Sequence, residues 1–76
     1  MTTAQSSHIQ AHEFDDQSLT LVIQFTNGAV YRYDGVPTSQ YWNFAQANSP
    51  GVYFWAHIRG KYPTTLMSPG GGRGGM

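Results

Sequence analysis

Six consecutive residues carry much of the chemistry this chain can offer. His57-Ile58-Arg59-Gly60-Lys61-Tyr62 sets a titratable ring, two permanent cations and a phenol within one short stretch. Arg59 and Lys61 suit phosphate, and Trp55, His57 or Tyr62 supplies a face on which a base can stack. A purely structural role competes with this one. At a helix C-terminus the same cations complement the helix dipole and cover its last carbonyls, for about 0.5 kcal/mol each. A third cation, Arg32, stands between two rings in Tyr31-Arg32-Tyr33.

Other chemistry is poorly served. Nucleophilic catalysis needs a hydroxyl or thiol beside an oriented base, and Ser6-Ser7-His8 provides only sequence neighbours with no orienting acid. The four acids are Glu13, Asp15, Asp16 and Asp34, three of them crowded into one turn, which leaves no paired-carboxylate site. His8 and His12 are spaced for one helix face, but their segment reads as a strand. At about 3.3 Å per residue they stand roughly 13 Å apart, too far for one ion, so both are expected to be exposed polar side chains. No enzyme activity, metal or cofactor is expected.

The elements that position these residues turn on a hairpin at 18–33. Leu19, Leu21, Ile23 and Phe25 alternate with Thr20, Val22 and Gln24, and Asn27-Gly28 follows as a turn. A two-residue loop would pair Ile23 with Arg32 and bury a guanidinium. A three-residue loop with Gly28 left-handed pairs Phe25 with Ala29, Ile23 with Tyr31 and Leu21 with Tyr33. Because an unpaired buried guanidinium costs several kcal/mol, the second register is expected, with Arg32 on the wetter face. Before the hairpin, 7–12 reads as a short edge strand and 14–18 as a turn.

Pro37 suits the first position of a helix over about 37–48, where Tyr41, Phe44, Ala45 and Asn48 share a face with Trp42 beside it. Ser49-Pro50 then opens a second helix over about 50–59, which Gly60 ends. Three rings in a row, Tyr53-Phe54-Trp55, cannot share one buried stripe, and Trp55 is the one expected outside. The predicted fold is α+β: a small three-stranded antiparallel sheet with both helices packed on one face. Residues 1–6 are expected to be disordered, 7–66 to form the domain and 67–76 to be a flexible Gly-rich tail. One arginine makes that tail a weak instance of an RNA-binding RGG segment.

Composition sets the remaining bounds. The 76 residues contain no cysteine, so neither disulfides nor a thiolate zinc site can be built. No apolar run reaches the roughly 18 residues of a membrane span, and the N-terminus lacks the regions of a signal peptide, so a cytoplasmic location is expected. A formal net charge of zero argues against binding a nucleic-acid duplex, which requires a net basic surface. Eleven aromatic residues form a rich supply of rings for either a core or a stacking platform.

Several separated blocks together resemble the KTSC domain, a family named for its place at the C-terminus of some lysyl-tRNA synthetases. They are Phe25-x-Asn27-Gly28-x-x-Tyr31-x-Tyr33, Gly35-Val36-Pro37, Ser49-Pro50-Gly51-x-Tyr53-Phe54 and His57-Ile58-Arg59-Gly60-Lys61-Tyr62-Pro63. The chain is also similar to single-domain KTSC proteins of bacteria and their phages. The resemblance spans 7–63 and implies RNA binding through its synthetase context. It departs from the family pattern where Glu13-Phe14-Asp15 replaces Gly-Tyr-Asp and where Trp55 replaces an Asn.

The resulting expectation is a non-catalytic binding module for short single-stranded RNA or a nucleotide-type ligand. Arg32, Trp55, His57, Arg59, Lys61 and Tyr62 are the expected ligand-binding residues. In a phage such a protein could sequester a nucleotide signal or block a host factor. The competing expectation is a protein-interaction or self-assembly module, a homo-oligomer or a binder of a host protein, using Trp42, Trp55 and the sheet edge.

Overall fold

The computed structural model describes residues 8–70 and the two-residue strand β1 (Thr2–Thr3). The remaining elements are β2 (Ile9–Asp15), β3 (Thr20–Phe25), β4 (Val30–Asp34), α1 (Thr38–Gln46), α2 (Pro50–His57) and β5 (Thr64–Ser68). All five strands form one antiparallel sheet in chain order. The α+β class and the two helices stand, but the three-stranded sheet is corrected. β5 was hidden because Thr64-Thr65-Leu66-Met67-Ser68 has no apolar alternation and is bracketed by prolines. Met67 and Ser68, assigned above to the tail, belong to this strand. Most of the expected disordered start and tail lies outside the described residues.

The hairpin adopts the register that keeps Arg32 off the core. Leu21 pairs with Tyr33 and Ile23 with Tyr31, and the Phe25 N–H donates to the Ala29 carbonyl at 2.8 Å. Gly28 takes φ 94°, the left-handed conformation that a three-residue loop demands. Asn27 holds the loop by accepting the Ala29 N–H on its Oδ1 at 2.9 Å. Leu19 leaves the strand pattern at φ 55° in the preceding turn, where its carbonyl accepts the Val36 N–H.

β2 corrects two expectations. It is an interior strand rather than an edge, and Phe14 belongs to it opposite Leu21, stacked on Tyr41 at a centroid separation of 4.6 Å. His12 is buried, with 4% of its surface exposed. The reason is a bulge: Ile9 pairs with Phe25 and Ala11 with Gln24, so one extra residue shifts the side-chain parity and turns both Ile9 and His12 inward.

Both helices cover the face carrying Leu21, Ile23 and Tyr33. Phe44 of α1 and Phe54 of α2, with Ile58 just beyond it, complete the buried cluster with Ile9 and Val36. Pro37 precedes α1 as its N-cap, and Pro50 occupies the first turn of α2. Phe54 and Ile58 take the inner side of α2, leaving Val52, Trp55 and Ala56 outside. Gln40 ties the helices together, since its Oε1 accepts the Tyr53 hydroxyl while its Nε2 donates to the His57 carbonyl at 3.1 Å and to the Tyr62 hydroxyl at 3.3 Å. No helix among the described residues is long and apolar enough to cross a membrane.

Candidate functional site

The chain's two hairpin tyrosines are separated in depth by one step along β4. Tyr33 is buried beneath Phe54, edge-on at 5.4 Å, whereas Tyr31, nearer the loop, is half-exposed and meets Phe25 edge-on at 5.7 Å. Over them opens a groove of about 830 Å³. Phe25, Thr26, Asn27 and Ala29 of the hairpin loop form one wall. Phe54, Trp55, Arg59 and Gly60 form the other, at the C-terminal end of α2. Tyr31, Tyr33 and Thr64 line the floor, and His8 stands at one side.

Local geometry explains why Arg59 reaches this wall. The chain leaves α2 through Ile58 and turns at Gly60, which takes φ 75°. Both the Ile58 and the Arg59 N–H donate to the Phe54 carbonyl, at 2.9 and 2.8 Å, which tightens the last turn. The Arg59 guanidinium then lies over the Trp55 indole, 4.1 Å from the ring centroid. Trp55 itself is 58% exposed. An exposed indole carrying a guanidinium, in an open groove also lined by Tyr31, is suited to a flat aromatic ring bearing a negative charge.

The electrostatics of the floor agree with a partly dry pocket. Burial pushes the Tyr33 hydroxyl up to about 12, the neighbouring Tyr31 adds to this, and the positive charge of Arg59 draws it back. Tyr33 is therefore a neutral hydrogen-bonding group at physiological pH. At the far rim the exit from β5 comes unusually close to the hairpin loop. A Cβ on Gly70 would lie 2.6 Å from the Ala29 nitrogen and 2.8 Å from the Asn27 carbonyl oxygen, so only glycine fits.

Of the six residues expected to bind, the fold gathers Trp55 and Arg59 at the groove. Arg32 lies on the opposite face of the sheet, paired with Asp34 at 3.1 Å and donating to Thr65 Oγ1 at 3.4 Å. His57 packs against Tyr53 at 4.3 Å between ring centroids, and Tyr62 joins the Gln40 clasp, both outside the groove lining. Lys61 is exposed beyond Gly60 and does not line the groove. The expected register turned Tyr31 toward the core with its hydroxyl free to reach the rim, and Tyr31 both packs against the core and lines the groove; Phe25, Asn27 and Thr64 were passed over. The signal available for Tyr31 was its place nearer the loop, where a strand emerges from beneath a short helix layer.

No ring of ligating side chains accompanies the groove: among the described residues no three His, Cys, Asp or Glu gather as a metal site. His12, the buried histidine, lies under α1, with its Nδ1 hydrogen-bonded to the Tyr41 hydroxyl at 3.1 Å and its ring edge-on to Phe44 at 5.0 Å. Burial holds its pKa below the usual histidine value. It belongs to the core rather than to the groove.

Comparison with known proteins gives a consistent pattern. The family model of the KTSC domain matches residues 5–62. A lysine–tRNA ligase of Trichormus variabilis is 33% identical over 64 residues, covering 84% of this chain and 11% of the ligase. An uncharacterized protein of Stutzerimonas stutzeri is 34% identical over 50 residues, covering 66% of this chain and 70% of its own. In three dimensions the fold superposes on the crystal structure of a KTSC domain protein from Yersinia pestis with a TM-score of 0.83. Sequence identity there is 34%, with 88% of this chain and 94% of that one covered. The chain thus spans only 11% of the length of the matching Trichormus ligase.

Proposed function

The chain belongs to the KTSC domain family, and on that premise we propose that it is a non-catalytic module binding a short single-stranded RNA or a nucleotide-type ligand in the aromatic groove. The carrying observation is the pairing of Arg59 over Trp55 in a groove of about 830 Å³ that Tyr31 also lines. That volume falls within the range of small-ligand pockets. A base entering the groove stacks on an exposed ring, a contact contributing about 1–3 kcal/mol, and its phosphate meets Arg59. Tyr33, held neutral, and Tyr31 offer hydroxyls to the base edge. The occurrence of a matching segment in enzymes named for their tRNA substrate supports a nucleic-acid ligand. Zero net charge supports a short one.

The test is a fluorescence titration at low salt with nucleoside monophosphates and short oligoribonucleotides. Trp55 emission is expected to be quenched on binding, and Tyr31→Ala and Arg59→Ala are each expected to weaken it while leaving the circular dichroism unchanged. Absence of any saturable response from either ligand type would overturn the proposal.

A further inference from the structure

Tyr33 meets the groove from beneath. It is 4% exposed and packs edge-on to Phe54 at 5.4 Å, yet it lines the groove floor. Among the described residues its hydroxyl makes no hydrogen bond, and it is not sealed in: Tyr33 is a side chain more than nine-tenths buried whose polar end opens to the groove. Tyr31, nearer the loop, is half-exposed, so water serves its hydroxyl whatever ligand arrives. A ligand that covers Tyr33 instead strips water from a group with no protein partner. Affinity then depends on whether the ligand makes that missing bond.

The surroundings decide which bond that is. Burial, with Tyr31, pushes the Tyr33 hydroxyl up to about 12, and the positive charge of Arg59 draws it back. The hydroxyl is therefore neutral and stands in the field of a guanidinium. A cation on one side turns the phenol's lone pairs towards itself and its proton away. Arg59 itself can only donate. Side-chain acceptors are scarce: among the described residues no Asp or Glu lines the groove, and Asn27 Oδ1 already accepts the Ala29 N–H at 2.9 Å. Thr64 pairs with Tyr33 across the strands, so its short side chain stands beside the root of the tyrosine, away from the hydroxyl, and donates to the Tyr62 carbonyl at 3.0 Å. A ligand edge arriving at Tyr33 meets a donor.

Resting on the reading of this groove as a nucleotide site, we propose that Tyr33 makes it selective for keto bases (uracil, guanine or hypoxanthine) over the amino bases cytosine and adenine, by donating its hydroxyl proton to the exocyclic carbonyl oxygen. Both kinds of base stack on the aromatic walls, so stacking does not separate them. They differ at the exocyclic group. A carbonyl oxygen accepts from Tyr33, whereas an amine turns its own N–H groups on a donor and on the positive charge of Arg59. One hydrogen bond to a partly dry group supports discrimination of about tenfold. Arg59 has five N–H groups, enough to face a phosphate as well.

The test is a fluorescence titration of the full chain at low salt with UMP, CMP, IMP and AMP. Within each keto–amino pair the nucleotides differ at one exocyclic group and the ring nitrogen beside it. UMP is expected to bind about tenfold tighter than CMP, and IMP about tenfold tighter than AMP. Tyr33→Phe, which keeps the ring under Phe54 and removes the hydroxyl, is expected to bring both ratios close to one. Saturable binding with equal or reversed affinities in either wild-type pair overturns the proposal and leaves the groove a nucleotide site. That comparison needs no variant, so it holds if Tyr33→Phe fails to fold. A variant that weakens all four ligands by the same factor gives Tyr33 a structural role and overturns the selectivity too. No saturable response to any of the four overturns the nucleotide reading itself, and the selectivity with it.

Discussion

The salt dependence of ligand binding follows from a count of charges at the groove. Among the described residues lining it, Arg59 is the only permanent cation. Neutralising a single phosphate on a single-stranded ligand gives a slope of log K against log salt of roughly −0.7. Raising the salt tenfold therefore weakens binding by roughly fivefold. Had Arg32, Arg59 and Lys61 all held phosphates, the slope would be about −2 and the loss roughly a hundredfold. The measurement is the Trp55 fluorescence titration repeated at five salt concentrations, with the wild type and Arg59→Ala compared. Arg59→Ala is expected to flatten the slope to near zero while retaining the contribution of stacking. A wild-type slope near −2, or an unchanged slope in Arg59→Ala, would refute the argument that one cation serves the groove.

Four further outcomes are expected. His12 is held neutral by burial, so its folded pKa lies below the ordinary value of 6.5 and the unfolded chain takes up the proton first. Melting temperature should therefore fall as pH drops below about 6.5, and His12→Gln should shallow that dependence. The Tyr33 hydroxyl, raised to about 12, keeps its stabilising neutrality below pH 10 and loses it as pH rises through the folded value. Absorbance at alkaline pH should show two late-titrating tyrosines, because burial raises Tyr41 as well as Tyr33; Tyr33→Phe should remove one of them, and the Tyr33 component should titrate later still in Arg59→Ala. Phe44, fully buried between the helices and the sheet, should cost about 3–5 kcal/mol on truncation to Ala, measured by urea unfolding. Gly28→Ala, at φ 94°, should cost about 1 kcal/mol in the same assay, with the groove's affinity reduced because the loop forms one wall.

What the sequence made legible were features decided by local chemistry. The hairpin register followed from the cost of burying Arg32, and Gly28 supplied the left-handed residue that the longer loop needs. The exposure of Trp55 followed from the impossibility of burying three consecutive helical rings on one stripe. What stayed hidden depends on pairing between distant segments. The bulge after Ile9 that buries His12 is visible only once β2 is set against β3, and β5 has a composition that reads as coil until Tyr31 and Tyr33 give it partners. The groove was half legible for the same reason. Its α2 wall, Trp55 and Arg59, is contiguous in sequence, but its loop wall lies some thirty residues earlier and meets it only through the sheet. Arg32 illustrates the converse: chemistry alone nominated it, and the two-residue alternation of a strand placed it on the other side from Tyr31.

The close seat of Gly70 against Asn27 and Ala29 has a bearing on how this protein is handled. The chain passes residue 70 at the rim of the groove, whereas its N-terminal strand β1 lies at the edge of the sheet opposite β5. A protein captured on a biosensor surface through a short C-terminal tag presents its groove towards the matrix, where large ligands are sterically screened and small ones are not. Capture through the N-terminus removes that bias. The ratio of apparent affinities in the two orientations, for an oligonucleotide against a mononucleotide, thus becomes a ruler for how far a bound ligand extends beyond the hairpin loop.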